Sequence, residues 1–315
     1  MSSNIRFSVI IPLYNKAAEV EDTVRSVLAQ TLLPEEIVVV DDGSTDSSAA
    51  VVEAIGSPLV RLIRQANAGE CAARNRAMAE AKGDWFALVD ADDRWKPDFL
   101  AEMAAMIEEW PHCGIYSSAF EIVSPTGVVR AKTPTERGPV ENFWKESMRS
   151  YVTIPSATVL ARSVVEELGG FPEGMKMGGD QYMWIKIATR HGVCFSPKVL
   201  CEYSMVASNR SSAIYTPERT PYRLEDFLTE ALYDEEQDYW RREFVAKCAI
   251  GKALTLTAKG DEEFGRRVVE NFGYTEHYRR GLRKLKALLA LPRRMRPWAH
   301  RTYNRLAWLL AHKGL

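Results

Sequence analysis

The stretch Trp85-Phe-Ala-Leu-Val-Asp-Ala-Asp-Asp93 is an apolar run that passes directly into three carboxylates. A short apolar run of this kind is typical of a strand buried in a sheet. The acids then lie in the loop at its carboxyl end, where open α/β sheets bind ligands. Because clustered carboxylates repel one another, the loop predicts a hard cation such as Mg²⁺ or Mn²⁺; a solvated turn is the alternative.

A second acidic loop, Asp41-Asp-Gly-Ser-Thr-Asp46, follows the apolar run Ile37–Val40 in the same way. Asp, Ser and Gly are also the residues of an Asx turn that caps a following helix, so a purely structural role is the alternative. Two acidic strand ends together indicate a metal-bound diphosphate and a nucleotide.

The first third of the chain alternates strands with helices. Strands are predicted over 7–13, 37–40, 60–64 and 85–89, and helices over 17–30, 70–82 and 97–109. Pro97 suits the first turn of the last of these helices. This βαβ succession predicts an α/β fold with a mostly parallel central sheet and helices on both faces. Further strands and a helix over 180–191 follow, and from Thr220 onward the chain is predicted to be helical. We predict a domain over 1–215, a helical extension over 216–276 and a tail over 277–315.

Composition limits the protein class. The chain has 315 residues, 46% of them hydrophobic, which is enough for a large core. Its polar start indicates no secretory signal, and no apolar stretch is long enough for a membrane span. Five scattered cysteines favour reduced thiols, so we expect a cytoplasmic protein.

The last 39 residues are strongly basic. Residues 277–315 hold eleven Lys and Arg and no acid, with leucines and Trp298 and Tyr303 at helical spacing. One interpretation is a helical hairpin that packs its leucines on the domain. We favour a helix pair on an anionic membrane surface, at the inner face of the plasma membrane. Nucleic acid is the third option, and no known binding module supports it, so we expect no nucleic-acid partner.

A third motif is Asn67-Ala-Gly-Glu-Cys-Ala-Ala-Arg-Asn-Arg76, which places Gly69 at a loop-to-helix junction and Arg74 inside the helix. Arg74 is either an ordinary surface arginine or a guanidinium that grips a phosphate by paired hydrogen bonds.

The motifs occur in the order strand–Tyr–Asn, Asp–Asp–Gly–Ser, Asn–x–Gly with Ala–Arg–Asn, and Asp–Ala–Asp–Asp. In that order they resemble the inverting family-2 (GT2) glycosyltransferases of the GT-A fold, in the style of the spore-coat polysaccharide type. The resemblance covers roughly residues 6–210. It implies a nucleotide-sugar donor, with UDP as the default nucleotide, and Mn²⁺ or Mg²⁺ as cofactor.

The resemblance also implies roles for individual residues. Tyr14 would stack on the base, Asp42 would accept from a base N–H, and Arg74 would contact the base or the phosphates. Asp92 would bind the ribose and Asp93 the metal, while Asp90 begins a D-x-D interpretation of the same cluster in which Asp92 is also a metal ligand. The remaining predicted nucleotide-sugar residues are Pro12, Asn15, Asp41, Asn67 and Gly69.

The acceptor half, 111–215, holds the segment Gly178-Gly-Asp-Gln-Tyr-Met-Trp184. It is similar to the family segment whose aspartate deprotonates the acceptor hydroxyl, which would make Asp180 the catalytic base. Many members carry Glu where this chain has Gly179. The alternative is that Asp180 only caps its helix.

The expected function is metal-dependent inverting transfer of a sugar to a hydroxyl of a glycan or lipid-linked acceptor, in cell-surface polysaccharide synthesis. A catalytically silent nucleotide-binding partner at the membrane is the alternative from another class. A nucleotidyltransferase is a weaker rival, because Pro12-Leu-Tyr-Asn-Lys16 is no glycine-rich phosphate loop.

Overall fold

A computed structural model of the chain describes residues 5–175, 178–207 and 239–302. The chain divides into two compact units, Met1–Ile214 and Tyr215–Leu315. The predictions for Tyr303 and for the helical segment between 220 and 238 lie outside the described residues. The predicted limits of the three segments remain predictions.

One ten-stranded sheet forms the centre of the first unit. Its strands are β1 Phe7–Leu13, β2 Glu36–Asp42, β3 Val60–Gln65, β4 Trp85–Leu88, β5 Arg94–Trp95, β6 Cys113–Ser124, β7 Gly127–Arg130, β8 Gly138–Pro139, β9 Thr158–Ala161 and β10 Gly192–Ser204. They follow the order β3-β2-β1-β4-β9-β6-β10-β5, with β7 beside β6 and β8 beside β10.

The half of the sheet formed by β3, β2, β1 and β4 is entirely parallel. Every residue of β2 is buried, and β1 is buried except at Pro12. Strands that are apolar on both faces need helices on both sides of the sheet, and crossover helices produce parallel pairing. The predicted α/β fold is therefore confirmed.

The other half of the sheet is mixed. Strand β9 lies between β4 and β6 and is antiparallel to both, whereas β10 runs parallel to β6. A short 3₁₀ turn at Pro155–Ala157 leads into β9 and brings Ser156 beside the end of β4. Because β9 is antiparallel to β4, the start of β9 lies beside the carboxyl end of β4.

The helices of the first unit are, in chain order, α1 Val20–Leu28, α2 Ser48–Ala54, α3 Glu70–Glu80, α4 Phe99–Glu109, α5 Phe143–Ser147, α6 Arg162–Leu168 and α7 Gly179–Ala188. Helix α1 buries Val20, Val24 and Val27, which share one helical face as their spacing predicts. Helix α3 contacts both β1 and β2 and so lies across the parallel half of the sheet.

The described part of the second unit is helical. It contains α8 Tyr239–Ala258, α9 Glu262–Asn271 and α10 Arg279–Ala290, followed by a 3₁₀ turn at Arg293–Met295. Leu282, Leu285 and Leu288 of α10 are buried, and α10 packs against α8 and α9. These leucines therefore pack within the protein, which differs from the lipid-facing role that we favoured for them.

The described residues also bear on the predictions about membrane spans and cysteines. No helix in the described ranges has the length and apolar character that a membrane span requires. All five cysteines are buried as free thiols.

Glu102 of α4 forms a buried ionic cluster with β10 and the loop before β8. Its carboxylate accepts from Arg137 Nε at 2.7 Å, from Ser196 Oγ at 2.9 Å and from Lys198 Nζ at 2.5 Å. Burial by itself raises the pKa of Glu102, but the hydrogen bonds from Lys198, Arg137 and Ser196 outweigh it and lower the pKa below its ordinary value. The ionised form is thus bound more strongly in the folded protein than in the unfolded chain.

We expect Glu102→Gln to lower the free energy of unfolding by about 2 kcal/mol at neutral pH, because charge-assisted hydrogen bonds are lost. A lowered folded pKa gives stability that is complete above the unfolded value of about 4.3 and is lost as pH falls through the folded value. The difference from wild type should therefore shrink below about pH 4 in urea unfolding curves. Glu109→Gln, which removes an exposed partner of the same Arg137, should cost about 0.5 kcal/mol. An equal cost for both variants would contradict the buried cluster.

Candidate active site

The candidate site lies where β2, β1 and β4 end side by side. Because these three strands are parallel and adjacent, their carboxyl ends form one edge of the sheet. The chain order reverses at β1, with β2 and β3 on one side and β4 on the other. Ligands of open α/β sheets bind at such a switch point. The structure thus brings together the loops at Tyr14, Asp42 and Asp90.

Asp42 holds the loop that leads into α3. One carboxylate oxygen accepts from Gln65 Nε2 at 2.7 Å and from the Ala68 N–H at 2.8 Å, and the other from the Gly69 N–H at 2.8 Å. Gly69 has φ +97°, which favours glycine at this junction. Asn67 Nδ2 donates to the Asp42 carbonyl at 2.9 Å. Asp42 is buried, so in this structure its carboxylate is used to shape the loop.

The loop after β1 is tied to the loop after β2. Asn15 adopts φ +52°, and its side chain accepts from the Thr45 N–H at 2.7 Å, while its own N–H donates to Ser44 Oγ. Asp41 accepts from the Ser44 N–H at 3.0 Å, which is the turn that the structural alternative predicts. Tyr14 is exposed beside these turns and Pro12 is half-buried at the end of β1.

Arg74 is the central cation of the site and is only 1% exposed. Its Nη2 donates to Asp90 Oδ1 at 2.5 Å and pairs with Glu70 one turn earlier on α3. Its guanidinium lies 5.3 Å from the ring centroid of Phe171. Nε is buried without a hydrogen-bond partner among the described residues, which leaves one donor for water or a ligand. Arg74 is therefore not a surface arginine. In this structure its guanidinium is paired with carboxylates and is not exposed toward a phosphate.

Three carboxylates share this one cation. Burial alone would lower the pKa of Arg74, but the charges of Glu70, Asp90 and Asp180 outweigh it and raise the pKa. Arg74 acts to lower the pKa of Glu70, whereas burial and the charges of Asp90 and Asp180 raise it above its usual value. The side chain of Glu70 is still 42% exposed. The cluster therefore carries excess negative charge at the edge of the cleft.

The three acids after β4 point in different directions. Asp92 accepts from Lys16 Nζ at 2.7 Å and its side chain is 15% exposed, and that of Asp90 is 26% exposed. Asp93 is 1% exposed; one carboxylate oxygen accepts from Ser156 Oγ and the other from the Ser204 N–H at 2.7 Å. Asp93 therefore ties the turn before β9 to the end of β10.

A divalent cation fits the exposed members of this cluster. Carboxylate oxygens suit Mg²⁺ and Mn²⁺, and burial together with the charge of Asp90 raises the pKa of Asp92, so a cation would relieve the repulsion. In the described parts of the chain, no three His, Cys, Asp or Glu side chains are grouped closely enough to hold an ion by themselves. Among the predicted ligands Asp92 has the more accessible oxygens, and Asp93 would have to give up its internal hydrogen bonds.

Asp180 lies in the first turn of α7 and is half-buried. The N-cap of this helix is Gly178, without a side-chain cap bond, so Asp180 is not the capping residue of the alternative interpretation. It forms no hydrogen bond with another described residue, yet it is close enough to Glu70 and Arg74 to act on their charges. Its carboxylate is therefore available at the cleft.

Helix α3 also holds Phe171, which lies between α6 and α7. Asn75 Oδ1 accepts from the Phe171 N–H at 2.8 Å, and Asn75 Nδ2 donates to the Phe171 carbonyl at 2.8 Å. A Cβ at Gly179 would collide with Cys71 Sγ, so α3 and α7 approach closely there. Helix α3 thus contacts both Asp90 and the start of α7, which carries Asp180.

Sequence reasoning did not identify five residues that shape the site: Lys16, Gln65, Glu70, Asn75 and Ser156. Asn75 and Glu70 are within the Asn67–Arg76 motif, and Lys16 follows Tyr14-Asn15 directly, so their positions were a usable signal. Gln65 and Ser156 carry none, because only the packing of strand ends brings them here.

Comparisons with known proteins relate the chain to glycosyltransferases. The putative teichuronic acid biosynthesis glycosyltransferase TuaG of Bacillus subtilis is 34% identical over 123 residues, 38% of this chain and 48% of TuaG. Most of the curated relatives that the chain matches are covered over less than half of their own length.

Two solved structures share the fold. TarS of S. aureus (residues 1–349, with UDP-GlcNAc) superposes with a TM-score of 0.61 at 18% identity, covering 94% of this chain and 92% of that one. The mannosyltransferase PcManGT of Pyrobaculum calidifontis, with GDP-Man and Mn²⁺, gives a TM-score of 0.52 at 22% identity over 100% of this chain and 77% of that one.

These likenesses identify the fold as GT-A, as the motif order predicts. The profile described as "Glycosyl transferase family 2" matches residues 8–169, more than half of the chain. The chain therefore belongs to glycosyl transferase family 2.

Proposed function

We propose that this protein is an inverting glycosyltransferase that moves a sugar from a nucleoside diphosphate, UDP in the first instance, to an acceptor hydroxyl. The proposal rests mainly on the surroundings of Arg74. Its buried guanidinium forms an ion pair with Asp90 at the donor edge, and the negative charge of Asp180 on α7 also acts on it. A donor-side acid and a candidate base thus face one cleft.

The donor would lie over the ends of β1, β2 and β4. Tyr14 offers an exposed aromatic face for the base, and the Asp42 loop, with Asn67 and Gly69, forms the adjacent wall. UDP is proposed because TarS was crystallised with UDP and with UDP-GlcNAc. The likeness is at low sequence identity, so the nucleotide and the sugar belong to the proposal.

The same cleft would hold a divalent metal through Asp92, with Asp90 beside it. When bound, Mn²⁺ or Mg²⁺ would neutralise charge on the diphosphate. PcManGT, crystallised with GDP-Man and Mn²⁺, supports a divalent ion of this kind. In the structure Lys16 neutralises Asp92 from within the protein, and Arg74 does the same for Asp90.

Asp180 would act as the general base. It would take the proton of the acceptor hydroxyl, whose oxygen forms a bond with the anomeric carbon on the face opposite the diphosphate. The bond from that carbon to the diphosphate oxygen breaks, and its electron pair leaves with the nucleotide. Arg74 offsets the negative charge of the surrounding acids, so the anionic donor can approach them. The configuration of the sugar inverts.

The acceptor would be a growing glycan or a lipid-linked one, and TuaG, named for teichuronic acid biosynthesis, supports polysaccharide synthesis as the context. A peripheral location on the inner face of the plasma membrane is part of the proposal. Trp298 and the exposed cations of α10, Arg279, Arg283 and Lys286, would serve it rather than the leucines of α10, which are buried. Removal of 277–315 would open the helical unit, so point variants are the suitable test.

A catalytically silent nucleotide-binding protein is the rival. A protein that only binds the nucleotide has no use for a carboxylate such as Asp180 that is free to accept a proton. The half-buried Asp180, which makes no hydrogen bond with the described residues around it, favours the enzyme.

We expect Asp180→Asn to lower kcat by about 10²–10⁴-fold, because the proton acceptor is lost, while UDP still binds. Transfer would be followed by UDP release, UDP binding by calorimetry, and the anomeric configuration of the product by ¹H NMR. Asp84→Asn, an exposed acid at the opposite edge of the sheet, is the control and should leave kcat unchanged. A product with retained configuration, or full activity of Asp180→Asn, would refute the mechanism.

Asn75→Asp keeps the acceptor for the Phe171 N–H and loses the donor to the Phe171 carbonyl. We expect kcat to fall by about 10²-fold through misplacement of the base, with the Kd for UDP within about threefold. Asn271→Asp removes a similar amide-to-carbonyl bond in the second unit and should leave kcat unaffected. Equal losses of nucleotide affinity and kcat would mean that Asn75 serves general stability instead.

Asp92→Asn and Asp93→Asn should separate metal binding from internal structure. Asp92→Asn is expected to raise the Mn²⁺ concentration for half-maximal activity by about tenfold or more, with any change in Tm limited to the loss of its ion pair with Lys16. Asp93→Asn is expected to lower Tm, because a buried, doubly hydrogen-bonded carboxylate is altered. A metal requirement that moves only with Asp93 would reverse this assignment.

A further inference from the structure

A cationic cavity lies in the second unit, where α9 ends and α10 begins. It has a volume of about 530 Å³ and is lined by Tyr274, Thr275, Arg279, Leu282, Arg283 and Lys286, together with Gly273. Arg279, Arg283 and Lys286 follow one another at helical spacing and so present three positive charges on one face of α10. The chain from His277 to the end of the described residues contains no acid to oppose them.

These charges are not neutralised within the described part of the protein. Arg279 approaches Glu276 only at 4.0 Å, and both side chains are well exposed. Arg283 and Lys286 form no ion pair with any described residue. Like charges three and four residues apart repel along a helix, and cations in its first turn oppose the helix dipole. An anion bound in the cavity would offset both the repulsion among the three cations and their unfavourable interaction with the helix dipole.

The turn under the cavity is rigidly built. Buried Glu243 of α8 accepts from Thr275 Oγ1 at 2.7 Å, from the Glu276 N–H at 2.8 Å and from the His277 N–H at 2.9 Å. The Glu243 carboxylate therefore accepts hydrogen bonds from the turn and forms no ion pair with Arg279, Arg283 or Lys286. Tyr274 is also fixed, because its hydroxyl donates to the Arg242 carbonyl at 3.1 Å. The three cations are therefore carried by a preformed surface.

Other cations of this unit have a different use. Arg296 is buried, donates to the carbonyls of Leu289 and Leu291, and pairs with Glu262 at 2.7 Å. Such an arginine stabilises the end of α10 and needs no ligand. Arg296 is thus a structural cation, whereas Arg279, Arg283 and Lys286 are exposed side chains that no described acid pairs with closely.

We infer that this cavity is a binding site for a phosphate group, carried by a lipid headgroup or by a soluble phosphorylated ligand. Two guanidinium groups one turn apart can donate paired hydrogen bonds to phosphate oxygens, and Lys286 adds a point charge. The site deepens the membrane contact included in the proposed function, and its test does not involve sugar transfer.

The test uses the full chain and the double variant Arg279→Gln/Arg283→Gln. Binding is measured by flotation with vesicles of phosphatidylcholine alone or of phosphatidylcholine mixed with anionic phosphatidylglycerol, since basic residues are attracted to anionic surfaces. Binding of pyrophosphate in solution is measured by calorimetry and by the rise in Tm. The matched control is Arg293→Gln/Arg294→Gln, which removes the same charge from exposed positions outside the cavity.

We expect the double variant to weaken binding by about tenfold, with the control within about threefold and Tm retained in both. Loss on anionic vesicles alone identifies a lipid headgroup, and loss of pyrophosphate binding identifies a soluble phosphate. Equal weakening by both variants, or no binding of either probe by the wild type, would overturn the proposal. Nucleotide binding in the first unit is unaffected in every case, so a failure here is distinct from a failure of the transferase.

Discussion

The buried guanidinium of Arg74 is the interaction on which the first unit depends. A desolvated cation is costly unless it is paired, and here the pairing acids are supplied by α3 itself and by the loop after β4. The helix thereby becomes attached to the end of a strand that is distant in sequence. Because Asp180 also acts on this cation, the acids of the two halves are held in one electrostatic group.

Helix α3 has a second role, which is mechanical. At its start the Gly69 N–H is held by Asp42, and in the middle of the helix Asn75 holds the backbone of Phe171. A displacement of α3 would therefore disturb the nucleotide loop and the base loop together. Coupling of this kind is transmitted through contiguous hydrogen bonds and packed groups, and each of these contacts joins segments far apart in the chain.

Much of the fold could be predicted because local rules agree with it. The strand at 7–13 follows from an apolar run, the helix predicted over 70–82 is found over 70–80, and Asp90–Asp93 marked the edge of the candidate site. The mixed pairing of β9 could not be predicted, since its neighbours are chosen by the whole sheet. The internal hydrogen bonds of Asp42 and Asp93 could not be predicted either, and their roles as nucleotide and metal ligands stay predictions. Whether a carboxylate faces the cleft or the interior depends on partners such as Gln65 and Ser204, which no local pattern reveals.

The contact between Cys71 and Gly179 limits the side chains that the two positions can hold. Helix α7 can come so close to α3 because position 179 has no side chain, and the thiol of Cys71 fills the space. A side chain at 179 would collide with this sulfur. The two positions are therefore expected to depend on each other: a side chain at 179 requires that the residue at 71 be smaller or that its sulfur move away.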